Sequence, residues 1–307
     1  MKRKRILRSV GLTSIVAGAF ALGSCGEKEE TINANNDDKV LRITAIPDKK
    51  VSDQSIKYKA LSDYLATELG VKVQYVNSQD YSASVNRFAN NEVQLVWFGG
   101  LTGVQARARV EGSRAIVQGV VDPEYKSYFI AHESTGLEKS DEFPQGIANL
   151  TFTFGSKKST SGRLMPTWFI QKETGKTPEE FFSKPVQFTG KASHAGTANA
   201  VNEGSVQAGV LSYKTYDSMV KSGEIDPNKA KIIWVTPGYA DYNFTAHPSL
   251  DETFGAGFID KLQKALISCK DKNVLTVLQR EEGLIEAKNK DFASIVTIAK
   301  ELGFFKD

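Results

Sequence analysis

The sequence predicts an α/β fold in two lobes, and three observations carry that reading. Strand-like and helix-like stretches alternate from Val40 onward. The alternation starts afresh at "NLTFTFGS", Asn149 to Ser156. The chain then ends on a mostly helical tail, Gly257 to Lys306. Two successive α/β units followed by helices predict parallel sheets with helices on both faces, packed as two lobes across a cleft. The chain is expected to cross between them twice, near Tyr125–His132 and near Val235–Tyr242. No repeat of about 20–50 residues is visible, which excludes a solenoid.

Each element has its own signature. "VLRITAIPD" is an alternating strand closed by Pro47 and Asp48. "SIKYKALSDYLATELG" places Ile56, Ala60, Leu61, Tyr64, Leu65 and Leu69 on one helical face, and Gly70 stops it. "VKVQYV" reads as a strand, "YSASVNRFANN" as a short helix, "VQLVWFGG" as a buried strand closed by two glycines, and "RAIVQGVV" as another strand. In the second unit the strand "NLTFTFGS" leads through a Gly/Ser/Lys-rich turn into a helix over "TWFIQKETG". The strands "PVQF", "QAGVLS" and "KIIWVT" follow, separated by helices from about His194 to Asn202 and Lys214 to Lys221.

The 307 residues carry a formal net charge of +3. The five cations of residues 1–24 (Lys2, Arg3, Lys4, Arg5, Arg8) leave −2 on the remainder, so the basic balance says nothing about nucleic acid. Those cations precede an apolar run, Ser9 to Leu22, that suits a secretory signal and is short for a membrane span. "LGSC", Leu22 to Cys25, looks like a bacterial lipobox. Residues 1–24 are therefore expected to be a lipoprotein signal peptide, Cys25 the lipidated N-terminus, and residues 25–39, poor in apolar groups, a flexible tether. The location is then extracytoplasmic, anchored to a bacterial membrane by lipid. With Cys25 acylated, Cys269 has no disulfide partner and reads as a buried helix residue.

The sharpest local pattern is "GSKKSTSGRLMP", Gly155 to Pro166, between a strand and a helix. Ser159, Thr160 and Ser161 offer hydroxyls, the backbone around Gly162 offers N–H groups, and Pro166 fits only near a helix start. A helix N-terminus holds phosphate-like anions without a lysine. The simpler role for Ser159 or Ser161 is that of an N-cap. In "GKASHAGTANAV" His194 stands ahead of a second helix. In "DYSAS" Tyr81 follows a strand, with Asp80 or Ser82 as a possible cap. Trp97 and Phe98 end a strand, and "TPGYADYNFTAHP" offers Tyr239, Asp241, Tyr242 and Asn243 on a polar, aromatic loop. "GSKKSTSG" is no Walker A loop. No G-x-S-x-G elbow surrounds any serine, so Ser161 with His194 gives no acyl-transfer site, and the three histidines are too scattered to hold a metal. Neither an enzyme nor a cofactor is expected.

The segments "AIPD", "DYSAS", "VQLVWFGG", "STSGRLMP", "SHAGTANAV" and "IIWVTPGYADYN" resemble, in order and spacing over residues 40–305, the phosphonate-binding-protein-like family of ABC-transporter solute receptors. The branch described as selenate-transporter binding proteins is the most similar in flavour. The resemblance implies a type II periplasmic binding protein that closes by a hinge, with lobe 1 at 40–125 and 237–307 and lobe 2 at 126–236. It implies that Ser159, Thr160, Ser161 and His194 hold a tetrahedral anion head and that Tyr81 touches it. Trp97, Phe98, Gly162, Asp241 and Tyr242 complete the expected ligand-binding set. Two departures stand out. Phe98 occupies the place of a family tyrosine, and Lys214 stands near a glutamate that binders of aminoalkylphosphonates use. The expectation is a monomeric, lipid-anchored receptor that delivers a small oxyanion without an amine (phosphonate, phosphate or phosphite, selenate or sulfate) to an ABC permease and ATPase. A sensor subunit signalling to a membrane kinase is the alternative.

Overall fold

Short apolar runs bounded by Gly, Pro or Asp become strands, and the amphipathic stretches between them become helices. The computed structural model describes residues 39–47, 51–189 and 193–305. The expected signal peptide, Cys25 and nearly all of the tether lie outside them, as do Asp48 and the Gly190–Ala192 part of the His194 segment. The elements run β1 (Val40–Ala45), α1 (Val51–Leu69), β2 (Lys72–Tyr75), α2 (Tyr81–Ala89), β3 (Leu95–Phe98), α3 (Gly100–Arg109), β4 (Arg114–Gly119) and β5 (Ser127–His132). Then come β6 (Phe152–Phe154), α4 (Met165–Thr174), α5 (Pro178–Phe181), β7 (Gln187–Phe188), α6 (Ser193–Asn202), β8 (Ala208–Ser212), α7 (Tyr213–Ser222) and β9 (Ala230–Val235). The last are β10 (Asn243–Ala246), α8 (Ser249–Phe254), α9 (Phe258–Ser268), α10 (Lys272–Leu278), β11 (Leu284–Glu286) and α11 (Ala293–Glu301).

Two sheets form, in the orders β11-β4-β10-β3-β1-β2 and β7-β6-β8-β5-β9. The expectation of parallel sheets needs correction: both are mixed. β1 pairs in parallel with β2 and β3, and β6 with β7 and β8. β10 runs antiparallel to β3 and β4, β11 antiparallel to β4, and β5 antiparallel to β8 and β9. The reason is connectivity. A strand laid down by a βαβ crossover runs with its neighbour. β5 and β10 are instead laid down as the chain passes from one sheet to the other, over residues 120–126 and 236–242. An antiparallel bridge between Tyr125 and Tyr239 ties these two passages together.

β10 is the larger surprise, because it falls inside the segment read as a polar loop. Its four residues are buried at the centre of the first sheet. Asn243 and Thr245 are tolerated there because Arg107 of α3 donates from one Nη1 to Asn243 Oδ1 at 3.0 Å and Thr245 Oγ1 at 2.8 Å. On α1 the buried face is Tyr58, Leu61, Leu65 and Leu69, while Ile56 is 80% exposed. Ile56 shares the helical period but overhangs a groove of about 750 Å³ between α1 and α10 on one side and α6 and α7 on the other. Cys269 is free and buried, capping α9 rather than lying inside it.

Candidate functional site

The turn after β6 is built by its own small side chains. Ser159 is in extended conformation and its Oγ accepts from Gly162 N at 2.9 Å, the N-cap role that sequence left open. Residues Thr160–Leu164 then form one π-helical turn that runs into α4, with Pro166 in the first turn of that helix. Gly155 N donates to Gly162 O at 2.9 Å, closing the turn onto the end of β6. A Cβ on Gly162 would stand 2.9 Å from Ser159 Oγ and 3.2 Å from both Gly155 Cα and His194 Cε1, so glycine is what lets α6 approach.

Thr160 and Ser161 are buried. Leu101 N, in the first turn of α3, donates to Thr160 Oγ1 at 3.0 Å. The neighbouring Gly100 N donates to Asp241 Oδ1 at 2.8 Å. The N-terminus of α3 is thus shared between a hydroxyl from beyond β6 and a carboxylate from the second passage. Gly99 allows it: a Cβ there would meet Thr160 Oγ1 at 3.1 Å and Asp241 Oδ1 at 3.2 Å. Asp241 Oδ2 is buried and makes no hydrogen bond among the described residues. Burial pushes this carboxyl up to about 7, with the Gly100 N–H and the nearby Thr160 and Ser161 hydroxyls offsetting only part of the rise.

His194 lies in the first turn of α6 and is buried. Ser212 N donates to His194 Nδ1 at 3.2 Å. An acceptor Nδ1 carries no proton, so the neutral ring has its proton on Nε2, which is a donor. Behind it, Tyr125 OH pairs with Ser212 Oγ, while Ser127 Oγ donates to Ser161 O at 2.7 Å and pairs with Tyr239 OH. Hydroxyls of both passages therefore hold the turn and the histidine in place.

The aromatic candidates divide. Trp97 stacks on Tyr242, with centroids 5.6 Å apart and planes at 27°, beside Asp241. Phe98 points the opposite way along the strand and packs edge-to-face on Phe88 of α2, in the core. Tyr81 is buried in the first turn of α2, capped by Asp80 Oδ1 accepting from Ala83 N at 2.7 Å. That turn rests on the C-terminal end of β1, through Ser84 Oγ to Ala45 O at 3.4 Å, the same sheet edge on which Trp97 sits. Ligands of open α/β sheets bind at such carboxyl ends. Lys214 pairs with Glu282. The sequence reading missed Gly100 and Leu101, Ser127, Ser212 and Arg280. The glycine pair before α3 was the available clue to the first two. The others look like ordinary strand and helix residues until the passages are laid side by side.

The profile of the family described as ABC transporter, phosphonate, periplasmic substrate-binding protein matches residues 43–292. The probable ABC transporter phosphite-binding protein PhnD1 of Prochlorococcus marinus is 34% identical over 270 residues, covering 86% of this chain and 90% of that protein. The phosphate-import protein PhnD of Mycolicibacterium smegmatis is 27% identical over 291 residues, covering 89% and 85%. The solved structure of the Prochlorococcus protein in complex with methylphosphonate superposes with a TM-score of 0.80 at 33% identity, covering 88% of this chain and 99% of that one.

Proposed function

The chain belongs to the family of periplasmic substrate-binding proteins of phosphonate ABC transporters, and on that premise we propose that it captures a phosphonate or phosphite anion that still bears one acidic proton. The observation that carries this is Asp241: buried, raised to about 7, and with Oδ2 left as an acceptor. A phosphonate or phosphite has its second ionisation near neutral pH, so a single proton can be shared between ligand oxygen and carboxylate. Sulfate and selenate carry no proton there and would meet Asp241 as a like charge. Of the oxyanions open to the sequence, this favours the phosphorus class and disfavours selenate.

The donors are neutral. Hydroxyls of Thr160 and Ser161, amides of the turn they sit on, and His194 Nε2–H take the anionic oxygens, with Ser159 holding the turn. Each hydrogen bond to a charged group contributes about 1.5–3 kcal/mol. Trp97 and Tyr242 wall the fourth, non-ionised substituent, and Tyr81 adds a hydroxyl from the first lobe. Phe98 serves as core behind them. With the lobes divided near residues 125 and 236, an anion held by both favours the closed form, which the permease and ATPase then receive. Lys214 deprives an amine tail of a partner. Cys25 carries the lipid that tethers the receptor to its membrane. The relatives are transporter binding proteins and not enzymes, which fits the lack of any role for Ser161 as a nucleophile.

Calorimetry with methylphosphonate, phosphite, phosphate, sulfate and selenate tests the ligand class. Methylphosphonate or phosphite should bind tightest at pH 7, and tighter binding of sulfate or selenate overturns the reading. Mass spectrometry tests the anchor: an acyl group on Cys25 is expected, and a chain cut elsewhere and free of acyl groups refutes it.

A further inference from the structure

Arg280 is the largest charged group that the site reading leaves unused. It lies just beyond α10, is 1% exposed, and forms a two-pronged pair with Asp122, Nε to Oδ2 at 2.7 Å and Nη2 to Oδ1 at 2.6 Å. Its remaining Nη1 donates to the carbonyls of Leu278 at 3.0 Å and Gln279 at 2.9 Å, so four of the five N–H groups of the fork have acceptors. Three rings close on the same guanidinium: Tyr242 at 4.8 Å, Tyr125 at 5.2 Å and Trp97 at 5.3 Å from its central carbon. These rings come from the second passage, the first passage and β3. A core of ordinary packing needs no cation here, and a hydrophobic side chain of similar volume would fill the space without desolvating a charge.

Each contact leads to the anion site in one step. Tyr242 follows Asp241 in sequence and stacks on Trp97. Tyr125 OH pairs with Ser212 Oγ, and Ser212 N fixes His194 Nδ1. Asp122 O accepts from Asp241 N at 3.1 Å, and Asp122 Oδ2 also accepts from Gly119 N at 2.6 Å.

We infer that Arg280 is a positioning residue of the anion site: it fixes Trp97 and Tyr242 as the wall against the ligand's non-ionised substituent. A ring presents a negative face to whatever lies on it, which repels an anion. A ring held in place therefore accepts the hydrogen or methyl group of phosphite or methylphosphonate and turns away the oxygen that phosphate would set there. The role of Arg280 is therefore discrimination between phosphite or methylphosphonate, whose fourth group is apolar, and phosphate, whose fourth group is oxygen. This rests on the ligand reading above.

The test compares affinities for methylphosphonate, phosphite and phosphate in the intact protein, in Arg280→Lys, and in the paired variant Arg280→Met with Asp122→Asn, which removes both charges and keeps the volume. Thermal unfolding confirms that each variant folds. In the paired variant the preference for methylphosphonate and phosphite over phosphate should fall about tenfold, and Arg280→Lys, which keeps a cation but not the planar fork, should recover part of it. Loss in equal proportion for all three anions would show a structural role only and overturn the inference, as would unchanged affinities. Should the paired variant fail to fold, Arg280→Lys decides alone, and an unchanged preference there overturns the inference. If the wild type binds none of the three, the ligand reading falls; if the wild type discriminates and the variants do so equally, only the role of Arg280 falls.

Discussion

Leu101 N donates to Thr160 Oγ1 at 3.0 Å, joining the first turn of α3 to the π-helical turn that follows β6. The hydroxyl accepts from the α3 backbone and stands beside the Asp241 carboxyl; on the reading proposed above it turns its hydrogen to the ligand, and one atom then links closure to anion capture. Thr160→Val preserves shape and removes both functions. Affinity for methylphosphonate should fall about 10- to 100-fold, as expected for one lost hydrogen bond to a charge plus an unpaired buried N–H. Small-angle scattering should show compaction on adding ligand to the wild type and less compaction in the variant at equal ligand concentration. Unchanged affinity would place the anion elsewhere.

Asp241 gives the protein a pH dependence of defined sign. Its carboxyl is raised by burial from 3.8 to about 7, so the folded state holds a proton that the unfolded state releases. The folded state binds more protons between those values, and stability without ligand should therefore fall as pH rises from about 4 to about 7. Asp241→Asn should flatten that slope in thermal unfolding. It should also narrow the gap between phosphonate and sulfate, because an amide offers sulfate a donor where the carboxylate offered a like charge. A wild-type melting temperature that rises across this window, with Asp241→Asn unchanged from wild type, would show that the carboxyl is not the proton holder.

What was legible in the sequence was whatever depended on neighbours along the chain. Ser159, Thr160, Ser161 and Gly162 are consecutive, and their turn opens a helix at Pro166 as their chemistry requires. Asp80 caps α2 for the same local reason. Lost were features that depend on residues far apart in the chain. Asn243 and Thr245 look like loop residues until Arg107, more than a hundred positions earlier, is seen to satisfy them inside a central strand. Nothing near Arg280 in the chain marks it out; Asp122 and the two passages that enclose it lie far away in sequence. Ile56 failed in the opposite direction: its spacing matched the buried face of α1, yet it lies over an open groove lined also by residues of α6, α7 and α10.

Lys214 and Glu282 form an ion pair between α7 and the segment after α10, and Gln279 Nε2 reaches Lys214 O at 3.5 Å nearby. Burial raises the Glu282 carboxyl, but the bond and charge of Lys214 more than compensate and leave it below the ordinary value. The pair joins α7, beside the second sheet, to the segment ahead of β11 of the first, and on the reading proposed above such a contact favours the closed form. Partly exposed ion pairs are worth little, about 0–1 kcal/mol. Lys214→Ala should therefore weaken methylphosphonate binding by no more than about fivefold. Lys214→Glu sets two acids against each other and should weaken it further, while improving 2-aminoethylphosphonate relative to methylphosphonate. Calorimetry with both ligands checks this, and a Lys214→Glu variant that binds methylphosphonate as tightly as wild type would exclude a latch.

His194 makes a prediction that separates its two nitrogens. Ser212 N occupies Nδ1 at 3.2 Å, which leaves Nε2–H as the group that can donate to a ligand. A glutamine amide reaches roughly as far as Nε2 and can donate from that place, whereas an asparagine amide reaches only as far as Nδ1. His194→Gln should therefore keep most of the wild-type affinity for methylphosphonate. His194→Asn and His194→Ala should each lose about 10- to 100-fold, the cost of one donor to a charged group. Nitrogen-15 NMR of the histidine ring should show the Nε2–H tautomer, with Nε2 shifting most when ligand is added. If Asn rescues better than Gln, or the proton is found on Nδ1, then the Ser212 contact does not set the tautomer and the ring binds the anion by another route.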